Sequence, residues 1–550
     1  MKKALLLFIL VLSSILLFAQ KGSWLWAKQA GGVYWDRGNS IAVDTNGNSY
    51  VTGSFSGSAT FGTTTLTSYH FQDIFVAKLD SNGNWLWAQQ AGGRTDDKGY
   101  GIAVDANGNS YVTGSFGSSA TFGTTTLTIS GDYYDIFVAK LDSNGNWLWA
   151  KQAGGTGEHY SYGIAVDANG NSYVTGYFWS SATFGTTTLT SIGLNDTFVA
   201  KLDSNGNWLW AKQAGGTNYD YGYSIAVDST GNSYVTGGFE ESATFGTTTL
   251  TNSGNIDIFV TKLDSNGSWL WAKQAGGTGW FTGHSIVVDA NGNSYVTGVF
   301  SGSATFGTTT LTSYLFQDIL VAKLDSNGNW LWANQASGAS SDMGYSIAVD
   351  ADDNSYVTGY FEQSATFGNI SLPSSGDKDI FVAKLDNYGN WLWAKKVGNS
   401  NVDEGNSIVV DANGNSYVTG YFRESATFGS TTLTSSGYQD IFVAKLGTGN
   451  SINVPDIISF NGIRSIYPNP FNPLTTIDYE ISMPAEVKIE VYNNRSQLVR
   501  SFALGYKEQG SYKLTWEGKD NNGCLCSSGI YYIRMQAGKE IYTKKAVLLK

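Results

Sequence analysis

The tripeptide Trp-Leu-Trp begins at Trp24, Trp85, Trp147, Trp208, Trp269, Trp330 and Trp391, always 61 or 62 residues apart. One fixed period across most of a chain means one structural unit repeated, and periods in this range point to solenoids, propellers or arrays. A representative unit, Ser224 to Ala272, opens with Ser-Ile-Ala-Val-Asp, turns, and continues with Asn-Ser-Tyr-Val-Thr-Gly. A Ser-Ala-Thr-Phe-Gly-Thr-Thr-Thr-Leu-Thr stretch follows, then Asp-Ile-Phe-Val-Thr-Lys-Leu-Asp, an Asn-Gly turn and Trp-Leu-Trp-Ala. The segments are rich in β-branched and aromatic residues and show no helical period. Asn-Gly supplies the positive φ angles of a tight hairpin. Each unit therefore reads as two hairpins, four strands, one propeller blade. The Thr-rich stretch adds either no strand or a small hairpin of two, since the flanking strands must stay antiparallel.

The ends of the array decide between an open and a closed structure. It starts at Trp24-Leu25-Trp26-Ala27, the last strand of a unit, and stops at Asp440 to Leu446, the strand that precedes such a segment. The first strand thus completes the seventh blade. A ring closed by its own termini needs no polar caps and leaves no broken sheet edge. The expected fold class is all-β: a seven-bladed β-propeller closed by N- and C-terminal strands, followed by an Ig-like β-sandwich.

Composition excludes several function classes. Only 14% of residues are charged, while Gly numbers 67 and Trp 18, which argues against disorder. The formal net charge of -12 offers no basic field to offset phosphate repulsion, so no nucleic-acid partner is expected. Cys524 and Cys526 are too close in sequence to staple distant segments and read as turn residues. At the N-terminus, Lys2 and Lys3 precede an apolar run from Ala4 to Phe18 and the small Ala19. That pattern is a secretory signal peptide over residues 1–19, too short for a membrane span. No later apolar run is long enough, so the mature chain is expected to have no transmembrane segment.

The blade pattern resembles the SBBP β-propeller repeat, which pairs Ile-Ala-Val-Asp-x-x-Gly-Asn-x-Tyr-Val-Thr-Gly with Asp-x-Phe-Val-Ala-Lys-Leu, over residues 21–446. That family is defined by structure and implies no shared activity. A linker is expected over 447–466, where composition shifts and prolines begin. Beyond it lie Tyr467-Pro468-Asn469-Pro470-Phe471-Asn472-Pro473, Trp516-Glu517-Gly518-Lys519-Asp520, Ser528-Gly529-Ile530-Tyr531 and Lys544-Lys545-Ala546-Val547-Leu548-Leu549-Lys550. Short alternating strands over Thr475–Ile481, Glu486–Tyr492, Ser511–Trp516, Ile530–Met535 and Tyr542–Leu549 suggest an Ig-like sandwich. The segment 467–550 resembles the C-terminal sorting domain of type IX secretion. The resemblance implies that Tyr467, Pro468, Asn469, Pro470, Gly529, Lys544 and Lys545 carry the sorting motif and that the type IX machinery is a partner. It also implies passage across an outer membrane, removal of the tail, and a secreted or outer-membrane cell-surface location.

Residues repeated in every blade are poor candidates for a unique site. Asp73, Asp135, Asp196, Asp257, Asp318, Asp379 and Asp440, with Lys78 and its counterparts, recur seven times and read as structural. The Asp-x-Asn-Gly-Asn segments, as at Asp105–Asn109, lack the extra carboxylates of a calcium loop and read as hairpin turns. Asp36, Asp97, Asp220, Asp342 and Asp403, with His159 and Phe281 in the remaining blades, read as Asp-x-Gly turns. No metal site and no cofactor are expected.

Residues that break the symmetry are more informative. The invariant turns share one rim, so the variable connections share the other, where binding usually evolves. The three propeller tryptophans outside the Trp-Leu-Trp copies, Trp35, Trp179 and Trp280, fall in these connections. So do the propeller's three arginines, Arg37, Arg94 and Arg423. Aromatics suit sugar faces and arginines suit carboxylates, so these six are the candidate ligand-binding residues, for a glycan or protein ligand. No catalytic residues are assigned: the Asn-Gly-x-Trp turns lack the spacing of a sialidase Asp-box, and no Ser/His/Asp constellation appears. The expected function is a non-catalytic exported propeller for surface binding or display. The alternatives are a secreted polysaccharide hydrolase or lyase, for which Glu158, His159 and Asp220 are the nearest acid/base candidates, and a structural envelope or matrix protein.

Overall fold

The Tyr-Val-Thr-Gly and Asp-x-Phe/Leu-Val segments are apolar nearly throughout because each is covered on both faces by neighbouring blades. In the fourth blade, Ser233–Phe239 is wholly buried and Asp257–Leu263 nearly so. They form the middle of a four-stranded antiparallel sheet, ordered Asp220–Val227, Ser233–Phe239, Asp257–Leu263, Trp269–Gly277. The computed structural model describes residues 22–313, 316–448, 462–481, 484–508, 510–538 and 540–549. The expected signal peptide and most of the expected linker lie outside these residues. No helix occurs among them, and none is therefore long and apolar enough to cross a membrane. The chain divides into two compact units, Met1–Gly449 and Asn450–Lys550.

The first unit is a closed seven-bladed β-propeller. Inner strands of successive blades lie side by side around the ring, including Arg37–Val43 against Glu404–Val410 where the ring closes. As the offset of the array predicts, Trp24–Gly32 becomes the outer strand of blade seven. It pairs with Asp440–Leu446 in the register Ala27↔Ala444 and Gln29↔Phe442.

The Thr-rich stretch does form a two-stranded hairpin, Ser242–Phe245 with Thr248–Thr251 in blade four. The hairpin also ties blades together. In six of the seven blades the end of the preceding outer strand pairs with it, as in Gly276↔Thr305 and Gly31↔Thr60. Trp-Leu-Trp serves the same purpose. The first Trp meets the hairpin Phe edge-on, with Trp269 and Phe245 5.4 Å apart. The second donates its indole N–H to the next blade, Trp271 Nε1 to Ser326 O at 3.3 Å. The Leu between them is exposed.

The invariant Gly of Tyr-Val-Thr-Gly has a steric cause. The inner strand carries a bulge between Gly222 and Ser224. At Gly237 a Cβ would run into the carbonyl oxygen of Tyr221, with the Phe259 ring behind. Around the inner ring, Ser hydroxyls accept the Ile amide of the adjacent blade: Ser346 from Ile408 at 3.1 Å and Ser407 from Ile41 at 3.3 Å. Ser346→Ala leaves a buried N–H without its acceptor and is expected to cost about 1–2 kcal/mol. Chemical denaturation checks this, and an unchanged midpoint would show that the ring does not depend on this bond.

The second unit is an Ig-like sandwich of two sheets. Gly462–Tyr467, Thr475–Ile481 and Gly510–Trp516 form one sheet. Leu498–Lys507, Ala485–Asn493, Gly529–Ala537 and Glu540–Leu548 form the other. Ile477, Ile489, Val491, Ile533, Leu548 and Trp516 fill the space between them. The strand Gly462–Tyr467 runs through the end of the stretch read as linker. A bulge between Ile463 and Ser465 breaks the alternation that would have revealed it.

Candidate functional site

The two faces of the propeller differ in kind. On one, the paired turns of every blade lie side by side, and a Cβ on Gly47 would sit 3.4 Å from Ser81. Beneath each pair of turns the same set recurs. In blade four the Tyr234 hydroxyl donates to Asp228 Oδ2 at 3.2 Å, and Lys262 Nζ lies 4.6 Å from the Tyr234 ring centre. Asp44, Tyr50 and Lys78 repeat the arrangement in blade one. The seven-fold Asp-Asn turns are closed by their own side chains, as Asn48 N donates to Asp44 Oδ1 at 2.9 Å. Among the described residues no group of three or more His, Cys, Asp or Glu converges to hold a metal ion.

The opposite face carries the variable connections and opens into a central cavity of about 430 Å³. Its wall is set by the residue before each Ser/Gly-Ile of the inner strand: Asn39, Tyr100, Tyr162, Tyr223, His284, Tyr345 and Asn406. Asn39, His284 and Asn406 reach around the ring to backbone carbonyls of the next blade, those of Gly99, Gly344 and Gly38. The tyrosines instead touch one another. Ring centres lie 5.0 Å apart for Tyr100–Tyr162, 5.5 Å for Tyr162–Tyr223 and 6.0 Å for Tyr223–His284. A second tier, Tyr160, Tyr177 and Tyr221, stacks on the first toward the variable connections. Burial pushes the Tyr100 phenol up to about 12 and those of Tyr162, Tyr223 and Tyr345 further. All stay neutral near pH 7, each able to donate and accept a hydrogen bond. Tyr223 and His284 also wall a side cleft of about 270 Å³ that contains Trp280.

Three of the six residues singled out in the sequence meet at the seam between blades seven and one. Arg37 and Arg423 both lie over the Trp35 indole, their guanidinium carbons 5.6 and 5.4 Å from its centre. Trp35 stacks on Tyr438 at 5.7 Å, and Arg37 also covers Tyr421 at 4.7 Å. Arg37 Nε donates to Gln439 Oε1 at 3.0 Å, and Arg37 lines the central cavity beside Glu404, which is paired with Lys378 at 2.9 Å. Trp280 lines the side cleft, and Trp179 lies against Tyr133 at 6.4 Å. Arg94 is exposed and lines neither cavity. The tyrosine wall was missed because each Tyr sits inside an otherwise repeated strand. The signal was variation at that one position among Asn, Tyr and His.

The residues weighed for acid/base chemistry lie in blades three and four. His159 is fully buried, and burial lowers its pKa to about 4. Asp220 is buried and accepts the Gly216 amide at 2.7 Å, while Glu158 is half-buried with its carbonyl accepting the Trp179 amide. The set containing Asp220 corrects the turn reading. Asp36, Asp97 and Asp403 each accept two backbone amides from separate segments, clamping a connection beneath the surface. Turn formers would be exposed, whereas these are wholly buried. Each faces a carboxylate of the seven-fold set, as Asp97 faces Asp73 and Asp220 faces Asp196.

In the Ig-like unit the proline-rich motif packs on the last strand. Asn469 Nδ2 donates to Lys545 O at 3.1 Å, and Asn469 Oδ1 accepts the Val547 amide at 2.8 Å. Pro468 O accepts the Thr475 hydroxyl at 2.8 Å, and Phe471 exchanges backbone bonds with Val547 and Leu549. Tyr467 is exposed, Pro470 follows Asn469 through a cis bond, and Gly529 opens the strand that pairs with the last one. Lys544 and Lys545 are exposed on that last strand.

Seven segments match the family described as Beta-propeller repeat: residues 25–54, 86–115, 148–180, 209–237, 270–299, 331–360 and 392–421. Residues 474–540 match the FlgD Ig-like domain. The fold and its repeats define a β-propeller repeat protein, and the repeats are of the Beta-propeller repeat type with an Ig-like domain after them. A curated relative, the Uncharacterized WD repeat-containing protein L264 of Acanthamoeba polyphaga mimivirus, is 26% identical over 500 residues. The match covers 73% of this chain, which spans 36% of that relative's length. Similar solved structures include Sqt1 from Chaetomium thermophilum, with 10% identity and a TM-score of 0.37, covering 77% of this chain and 99% of that one. The WD40 β-propeller domain of Doa1 has 9% identity and a TM-score of 0.35, covering 77% of this chain and 97% of that one.

Proposed function

We propose that this chain is an exported, non-catalytic binding protein, with its propeller holding a ligand on the variable face and its C-terminal domain acting as a type IX sorting signal. The observation that carries the binding part is the contrast between the faces. One repeats nearly the same turns seven times over, and the other carries the variable connections around two adjoining cavities, which Arg37 and Trp280 line. A neutral aromatic wall with fixed amide and carboxylate groups is the composition of a ligand site. Export is supported by the signal-peptide pattern of residues 1–19 and by the sorting-domain resemblance of residues 467–550.

Intact mass and location in the native host test the export part. The wild-type protein is expected at the cell surface or in the medium, without residues 467–550. Deleting those residues is expected to hold the propeller in the periplasm. A wild-type protein found full-length in the periplasm, with the deletion leaving that location unchanged, would sink the sorting role. For binding, Tyr223→Ala is expected to weaken capture of whichever glycan or peptide the wild type retains on an array, because Tyr223 borders both cavities.

A further inference from the structure

The seam between blades seven and one differs from the other six in carrying two guanidinium groups over one indole. The propeller has three arginines in all, inside a chain of net charge -12. Such convergence is costly unless something negative balances it. The balance within the protein is thin. Glu404 is engaged by Lys378. Asp36 and Asp403, beside the two arginines in sequence and in the fold, are raised by burial to about 7 and are a poor source of full negative charge. Hydrogen bonding at the seam is likewise donor-rich. Gln439 spends its oxygen on Arg37, and its own Nε2 has no acceptor among the described residues. Arg423 Nε has none either. The Nε of Arg37 is held by Gln439, and Arg37 itself lines the central cavity. A planar fork with surplus donors is matched by a carboxylate.

What adjoins the seam narrows the class of ligand. From Arg37 the cavity continues past Asn39 and Asn406 to the tyrosine arc, and through Tyr223 to Trp280 in the side cleft. Flat aromatic faces with hydroxyl edges, interleaved with planar amides, suit the apolar faces and the hydroxyls of sugar rings. A peptide side-chain pocket would instead offer aliphatic surface. The aliphatic residues of the central wall, Ile102, Ile164 and Ile225, are buried in the blades, as are Ile256 and Val299 of the side cleft, where Met343 is partly exposed. Resting on the binding role proposed above, we infer that the variable face takes an acidic oligosaccharide. Arg37, on the cavity wall, holds the carboxylate of a uronic acid unit, Arg423 adds positive charge from beside the shared Trp35 ring, and the neighbouring sugars lie along the tyrosine arc.

The test uses the protein as it is recovered from the surface or medium of its native host and calorimetric titration with three carboxylated oligosaccharides: oligogalacturonate, oligomannuronate and a hyaluronan oligosaccharide. Each is paired with its methyl ester, a neutral ligand of nearly the same shape, and a glutamate-rich peptide of similar length is added. At least one acid is expected to bind roughly tenfold or more tightly than its ester, in line with a charge-assisted forked contact. Arg37→Gln and Arg423→Gln should each bring the acid down toward the ester. Tyr223→Ala should weaken both forms, and the exposed Arg94→Gln should change neither. Circular dichroism of each variant separates lost binding from lost fold. Equal binding of acid and ester, unaffected by Arg37→Gln, overturns the carboxylate subsite while the face remains a glycan-binding surface. Binding of the peptide alone, lost in Arg37→Gln, overturns the sugar assignment and keeps a binding face. Binding of none of the probes, together with no retention on glycan or peptide arrays, overturns both readings.

Discussion

A chain lacking residues 22–32 is expected not to form a stable propeller: soluble yield collapses, and whatever remains shows no cooperative melt. The segment is the outer strand of blade seven, and six residues from Ile441 to Leu446 find their partners on it. Removing it uncovers Asp440–Leu446, a strand wholly buried in the intact ring. It also deletes the Gly31↔Thr60 and Gly32↔Ala59 pairs that fasten blade seven to blade one. The loss is on the order of 5 kcal/mol or more, enough to unfold most domains. Thermal unfolding followed by circular dichroism checks it. Adding a peptide of residues 22–36 in trans should restore part of the transition. A truncated protein that melts at the wild-type temperature would show that closure contributes nothing.

Stability is expected to fall as pH rises from 5 to 8.5, the reverse of most carboxylate-rich proteins. Burial raises Asp36, Asp73, Asp196 and Asp403 to about 7, and Asp97, Asp220 and Asp342 to about 8. In the unfolded chain these groups titrate near their ordinary 3.8. The protonated carboxyl therefore favours the folded state. Its contribution is complete below about pH 4 and is lost progressively as the pH climbs from there to the folded values of about 7 and 8. Each tenfold change in proton affinity between the folded and unfolded chain is worth about 1.4 kcal/mol, so several such groups together amount to at least a few kcal/mol. The turn carboxylates Asp80, Asp142 and Asp203 are held low by hydrogen bonds and act the other way in acid. The melting temperature should therefore peak between about pH 4 and 5. Asp97→Asn, which cannot ionise beside Asp73 and Asp96, should flatten the decline. A melting temperature that is flat or rising up to pH 8.5 would show that these pairs do not govern the fold.

The propeller was legible because its information is redundant. Seven copies of Trp-Leu-Trp set the period, and the offset between Trp24 and Leu446 fixed how the ring closes. What a single unit cannot show is contact with the next one. That Gly276 of one blade pairs with Thr305 of the following hairpin is a relation between copies, invisible in the pattern of either. The candidate site was legible in part for a related reason. Trp35, Arg37 and Arg423 stood out as rare residue types, and the fold gathers them although Arg37 and Arg423 are far apart in sequence. Tyrosine is common in this chain, so Tyr100, Tyr162, Tyr223 and Tyr345 gave no such signal until the inner strands were set side by side. The buried role of Asp36 and Asp97 was misread because Asp-x-Gly is a good local turn, and local chemistry gave no hint of the second amide, from Ser56 or Gly117, that reaches each from the next strand.

Because the ring is sealed partway through a blade, the tail leaves the propeller from an interior strand. Asp440–Leu446 is bonded along one side to Ser416–Phe422 and along the other to Trp24–Gly32, and just beyond it the Gly447 amide donates to Ser23 O at 2.9 Å. Traction on the tail is thus borne by two ladders at once and cannot peel away an edge. Had the ring closed between whole blades, the last strand would have been an outer one, held on a single side. The stitch gives the propeller a doubly held anchor at the point where any tether must pull.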